Sequence, residues 1–135
     1  MVDAILSEQV IVTVDNRVGT LAEVTTVISS SGINLIAICA QAVDNKGFIM
    51  FVSENNKQAQ KLLKAKKYNV REEEVVLITL DNKPGALRAL SEKIASYKID
   101  LTLLYGTVEK EGDISRLVIV SENNEAVLMA VNMAS

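Results

Sequence analysis

The residues with the means to do chemistry in this chain stand in one short stretch that occurs twice. It reads Asp15-Asn16-Arg17-Val18-Gly19-Thr20-Leu21 and then, 66 positions on, Asp81-Asn82-Lys83-Pro84-Gly85-Ala86-Leu87. A carboxylate or a carboxamide accepts from an ammonium group, and the carboxamide also donates. Glycine lets a ligand come close to the backbone. A helical pattern follows each copy, so the stretch sits at a helix N-terminus, where unpaired N–H groups and the positive end of the dipole suit a carboxylate. An α-amino acid needs both functions at once. The same residues also have plainer duties: Asp-Asn ahead of a helix is an ordinary cap, and Gly is an ordinary turn residue.

Nothing else in the chain competes for that role. There is no histidine, and the single cysteine, Cys39, lies in an apolar strand without a basic neighbour; it reads as a small buried hydrophobe rather than a nucleophile or a metal ligand. Carboxylates such as Glu72-Glu73-Glu74 and Glu109-Lys110-Glu111 fall on helix faces and in hairpins. The expectation is a non-enzyme with no catalytic residue, no metal and no cofactor. Fourteen basic against seventeen acidic residues give a net charge of −3, which argues against nucleic acid. The basic run Lys61 to Lys67 reads as the solvated face of a helix. Lys46-Gly47-Phe48-Ile49-Met50-Phe51-Val52 begins like the third-strand signature of RNA-binding domains. Base stacking needs aromatics on one sheet face, yet Phe51 alternates away from Phe48 and the first strand has none, so both read as core. The N-terminus lacks a basic segment followed by an apolar run, and no stretch reaches the roughly 18 apolar residues of a membrane span. A cytoplasmic protein without a membrane partner is expected.

The elements that position the two turns follow from hydropathy patterning. Glu8 to Asp15 is dense in Val and Ile and reads as a central strand. Behind the turn, Leu21, Val24 and Ile28 mark the inner face of a helix with Thr20, Glu23 and Thr26 outside, and Gly32 stops it. Ile33 to Val43 and Phe48 to Ser53 form strands joined through Asp44-Asn45-Lys46-Gly47, a hairpin signal because Asn and Gly tolerate positive φ. Glu54-Asn55-Asn56 caps a helix over Lys57 to Lys67 with Ala59, Leu62 and Leu63 buried, and Tyr68 to Glu74 is a short last strand. The second copy starts at Val75. It repeats the order with Leu87, Leu90 and Ile94 inward, Pro84 in the first helical turn, a strand running to Val108, a turn at Glu109 to Asp113, a strand from Ile114 to Ser121, and a helix over Glu125 to Asn132 carrying Ala126, Leu128, Met129 and Met133. Ser121-Glu122-Asn123-Asn124 repeats Ser53-Glu54-Asn55-Asn56. No last strand is left for the second unit. Its first strand is then expected to have an open edge unless another chain or the N-terminal segment covers it, a hint of oligomerisation. Units of this size bury only about 60% of their unfolded surface and lean on a shared interface.

This duplicated strand-helix-strand-strand-helix-strand unit, with Asp-Asn-x-x-Gly-x-Leu at the first turn and Gly32-Ile33-Asn34-Leu35 leading into the second strand, resembles a tandem ACT-domain protein. The domains would be residues 7–74 and 75–135. The resemblance implies an α+β fold of two ferredoxin-like units, each an antiparallel sheet of order 4-1-3-2 with both helices on one face, the second unit lacking a clear last strand. It implies a regulatory module that binds a small effector, an amino acid or similar, in the cleft between paired modules. It also implies a homodimer or an enzyme of amino-acid metabolism as partner. Carried onto this sequence, the ligand-binding positions are Asp15, Asn16, Val18, Gly19, Thr20, Leu21, Asn34 and Ile36, and in the second copy Asn82, Pro84, Gly85, Ala86, Leu87 and Asp100. The alternative is a dimerisation or docking module with no ligand of its own.

Overall fold

The structure, a computed structural model, describes residues 2–107 and 114–132. In chain order it places β1 (Val2–Asp15), α1 (Thr20–Ser29), β2 (Leu35–Val43), β3 (Lys46–Ser53), α2 (Asn56–Ala65), β4 (Asn69–Asp81), α3 (Ala86–Ser96), β5 (Leu101–Gly106), β6 (Ile114–Ser121) and α4 (Asn124–Asn132). Two compact units emerge, one of Glu8–Glu73, the other of Met1–Ser7 with Glu74–Ser135. β1 and β4 each contribute to both. The sequence places a strand end at Glu74, but Glu74-Val75 carries no turn residue, and β4 runs through it unbroken. The expected hairpin tip at 109–113, Val108 and Met133 lie outside the described residues.

In the Glu8–Glu73 unit the strand order is β2-β3-β1-β4, the expected 4-1-3-2. β1 and β3 pair antiparallel with Val10 opposite Phe51 and Val12 opposite Ile49. These four residues join Val24 and Ile28 of α1 and Ala59 and Leu63 of α2 in one buried cluster, so both helices cover the same face. Each fully buried Val, Ile or Leu contributes about 1.5–3 kcal/mol. The opposite face of the same strands is buried as well, at Gln9, Ile11, Met50 and Val52. That is why β1 reads as a nearly continuous apolar run instead of an alternating one.

Several local expectations shift. α1 buries Thr20, Val24 and Ile28, while Leu21 is 47% exposed; the inward stripe starts one residue earlier than the leucine implied. The same slip recurs in α3, where Leu90 and Ile94 are buried and Leu87 is 46% exposed. In α4 the buried residues are Val127, Ala130 and Val131, whereas Met129 faces solvent. The β2–β3 hairpin closes with Val43 opposite Lys46, and the positive φ is at Asp44. Gly47 lies in β3, where a Cβ would stand 3.0 Å from Val14 Cγ2, so it is there for space. Cys39 is half-buried, not fully enclosed.

The second unit has the order β1-β4-β6-β5, with the first residues of β1 as its last strand. The edge that the sequence left open is thus covered by the N-terminal segment. Ala4 is 3% exposed, packed with Val76, Ile78, Leu117 and Ile119, and Asn132 Nδ2 donates to the Ala4 carbonyl at 3.2 Å. Register irregularities repeat at equivalent places, Leu35/Ala37 in β2 and Leu101/Leu103 in β5. Both units are ferredoxin-like α+β folds.

The repeated Ser-Glu-Asn-Asn fastens each second helix to its unit. Asn55 Oδ1 accepts from the Gln58 amide at 3.1 Å. Asn56 Oδ1 accepts from the Ser53 amide and hydroxyl, and its Nδ2 donates to the Glu8 carbonyl at 2.7 Å. Asn123 and Asn124 repeat these bonds with Ala126, Ser121 and Glu74. Among the described residues no helix is long and apolar enough to cross a membrane.

Candidate functional site

The two repeated stretches form the same backbone device. After β1, the Thr20 amide donates to the Arg17 carbonyl at 3.4 Å and Gly19 sits at φ 89°, ψ −6°. After β4, the Ala86 amide donates to the Lys83 carbonyl at 3.1 Å and Gly85 sits at φ 87°, ψ −9°. These are the hydrogen bond and third-residue angles of a type II turn, which needs φ > 0 there. The glycine is therefore fixed by backbone geometry in both copies. Pro84 occupies the second position of its turn, ahead of the helix rather than inside it as the sequence implied, since α3 begins at Ala86.

The turn also changes what caps the helix. Gly19 and Gly85 are the cap residues, and neither cap position makes a side-chain cap hydrogen bond. Asp15 and Asn16 were expected to cap α1; they stand too early, separated from it by the turn. Asp15 instead accepts from Lys46 Nζ at 3.1 Å, and the Asn16 amide donates to the Asn45 carbonyl at 2.9 Å. Arg17 folds over the start of α1 to meet Glu23 at 2.8 Å, and Thr20 Oγ1 donates to the Arg17 carbonyl at 3.0 Å. The α1 N-terminus is thereby uncapped by side chains, next to an exposed carboxamide and an exposed carboxylate.

A cleft of about 280 Å³ opens at this turn, lined by Asp15, Asn16, Arg17, Gly19, Thr20 and Leu21 from the motif. Its other wall is Ala40, Gln41 and Ala42 of β2 with Gly47, Phe48 and Ile49 of β3. The structure thus brings five of the first-copy candidates together, while Val18 projects fully into solvent. Asn34 and Ile36 are not beside this turn within the unit. The Asn34 carbonyl accepts from the Glu54 amide at 3.0 Å, which puts it at the far end of β2, about 25 Å from the Gly47 end at 3.3 Å per residue. Asp100 holds the equivalent place, accepting from the Glu122 amide at 3.3 Å. Sequence reasoning missed Ala40, Gln41 and Ala42; the Asp44-Asn45 turn held the signal, because its register folds these residues back against β3.

At the second copy, Asp81, Lys83 and Ala86 line a larger cleft of about 500 Å³ that runs along α3. Asn82, Pro84, Gly85 and Leu87 are not part of its lining. Among the described residues no cluster of His, Cys, Asp or Glu could hold a metal ion.

The sequence profile of the ACT domain pair family matches residues 5–132. Among solved structures, the chain is similar to protein BT0572 from Bacteroides thetaiotaomicron, with 25% identity, 96% of this chain and 89% of that one covered, and a TM-score of 0.88. It shares its fold with the ligand-free regulatory subunit of aspartate kinase from Thermus thermophilus, at 15% identity, 97% and 95% coverage and a TM-score of 0.68. The regulatory subunit of aspartate kinase from Thermus flavus has the same fold, at 16% identity, 98% and 95% coverage and a TM-score of 0.63. No curated protein matches the chain. With nearly its whole length matched by the profile and the tandem ferredoxin-like units in place, the chain belongs to the ACT domain pair family.

Proposed function

We propose that this chain is a non-catalytic regulatory module that binds an amino acid at the Asp-Asn turn, at an interface between ACT modules. The observation that carries this reading is the uncapped start of α1 beside Asn16. Among the described residues no side-chain cap closes the helix start at Gly19, and Gly19, Thr20 and Leu21 line the same cleft as Asp15 and Asn16. The α-carboxylate is held by the remaining first-turn amides, that of Thr20 being bonded to the Arg17 carbonyl, where the helix dipole favours negative charge. The ammonium group is met by the Asn16 carboxamide and the Asp15 carboxylate. Asn34, Ile36 and the second copy, with Asn82, Pro84, Gly85, Ala86, Leu87 and Asp100, belong to the same proposal as the surfaces with which a paired module completes the site. Ligand then favours one packing of the modules, and a second copy or an enzyme of amino-acid metabolism responds to that difference.

Calorimetric titration of the full chain with each of the twenty amino acids tests this. Saturable heat with at least one of them at millimolar concentration is expected. No heat with any would overturn the ligand reading and leave a dimerisation or docking module.

A further inference from the structure

The cleft at the first turn has two unlike sides. The turn supplies its polar groups, and β2 and β3 supply the wall opposite. Register settles which way that wall faces. Val14 stands opposite Gly47 and Gly47 opposite Ala42 in one cross-strand row, and Val12, Ile49 and Ala40 form the row two residues on. Side chains alternate along a strand, and Val12 and Ile49 belong to the buried cluster with α1 and α2, with Val14 packed against it. Ala40 and Ala42 therefore turn toward the helix face, while Gln41 and Phe48, opposite each other, turn away. The helix-facing part of the wall is Val14, Ala40, Ala42, Gly47 and Ile49, a shelf without one polar side chain. The charged groups of the lining have partners already: Arg17 is paired with Glu23, and Asp15 with Lys46. In the second unit the same place is filled. Gly106 opposite Leu117 repeats Ala40 opposite Ile49, and a Cβ on Gly106 would collide with the Leu117 side chain. No residue of β5 or β6 lines the cleft there.

We propose that the amino acid bound at this turn carries a neutral aliphatic side chain, which lies on the shelf of Ala40, Ala42 and Ile49. The preference rests on the amino-acid reading above and narrows it to one side-chain class. Each methylene that leaves water for the shelf gains hydrophobic free energy. A carboxamide or carboxylate placed there gives up its water and finds no polar side chain in exchange. The short side chains of Ala40 and Ala42 leave the room that an alkyl chain occupies.

The test titrates the full wild-type chain with alanine, α-aminobutyrate, norvaline and norleucine. Calorimetric affinity should rise about two- to fourfold with each added methylene. Glutamine and glutamate, close to norleucine in length, should bind roughly tenfold more weakly than norleucine. Methyl-labelled NMR should show contacts from the norleucine chain to the methyls of Ala40, Ala42 and Ile49. Ala42→Asp, which sets a carboxylate on the shelf at an exposed position of an edge strand, should weaken norleucine binding roughly tenfold. Amino acids that bind with a flat chain-length series, with glutamine or glutamate equal to norleucine, without contacts to those methyls or with full affinity for the aspartate variant would overturn this preference and leave the amino-acid reading standing. Binding by none of the twenty amino acids or of this series would overturn both. The wild-type series and contacts decide the matter if the aspartate variant does not fold.

Discussion

Arg17 and Thr20 are joined twice through a single oxygen: the Arg17 carbonyl accepts both the Thr20 amide, at 3.4 Å, and the Thr20 hydroxyl, at 3.0 Å. This clasp closes the turn between β1 and α1 and commits Gly19 to positive φ. A Cβ on Gly19 would meet nothing within 4 Å, so the cost of a side chain there is backbone strain alone. Gly19→Ala should lower stability by about 1–2 kcal/mol, measured by urea denaturation.

Val18 offers the opposite lever. It is wholly exposed, and its counterpart in the second turn is Pro84. A proline fits the second position of a type II turn. Val18→Pro should stabilise the chain by about 0.5–1 kcal/mol by restricting the unfolded state, seen as a higher urea midpoint with an unchanged slope. A lower midpoint would mean that the Val18 backbone is not in the proline-compatible conformation.

The two first helices stop in the same way with different residues. The Gly32 amide donates to the Ser29 carbonyl at 3.0 Å with φ 72°, and the Lys98 amide donates to the Ala95 carbonyl at 2.9 Å with φ 57°. Glycine takes this conformation without strain, whereas lysine does so at a cost. Lys98→Gly should therefore raise stability by about 1 kcal/mol, and thermal melting of the two proteins side by side checks it.

Asn124 is a fastening that its repeat partner Asn56 duplicates. It accepts from the Ser121 amide and hydroxyl at 2.9 and 3.0 Å and donates to the Glu74 carbonyl at 3.0 Å. Asn124→Ala strands the part-buried Ser121 amide and should cost about 1–3 kcal/mol. Hydrogen exchange should show the loss concentrated in α4 and the adjoining end of β6.

Much of this architecture is legible in the sequence, because its signals are local. The repeated turn, the hairpin at Asp44-Asn45 and the Ser-Glu-Asn-Asn helix starts each declare themselves within a few residues. What escaped is of two kinds. Leu21 and Leu87 look like core positions, yet the glycine cap sets the helix phase so that Thr20 and Ala86 turn inward instead. The pairing of Val2–Ser7 into the second unit is one of the two covers expected for the open edge, but it joins residues more than a domain apart in sequence, so no local pattern selects it over another chain; Ala4 is small enough to pass for a surface residue. The cleft beside the repeated motif was legible at its turn, where residue type dictates backbone conformation. It was not legible at its far wall, where Ala40, Gln41 and Ala42 contribute by register alone.

Asn16 separates the functional reading from the structural one. Its carboxamide is exposed and does not cap α1, so its removal should leave stability within about 0.5 kcal/mol of the wild type. If it receives the ammonium group of an amino acid, the lost hydrogen bond to a charged group should weaken binding by about tenfold to a hundredfold. Calorimetry with the amino acid that binds best, run beside a thermal melt of Asn16→Ala, reads both quantities on one preparation. Unchanged affinity at unchanged stability would remove Asn16 from the site. A large drop in melting temperature would instead assign it a structural duty that the uncapped helix start does not show.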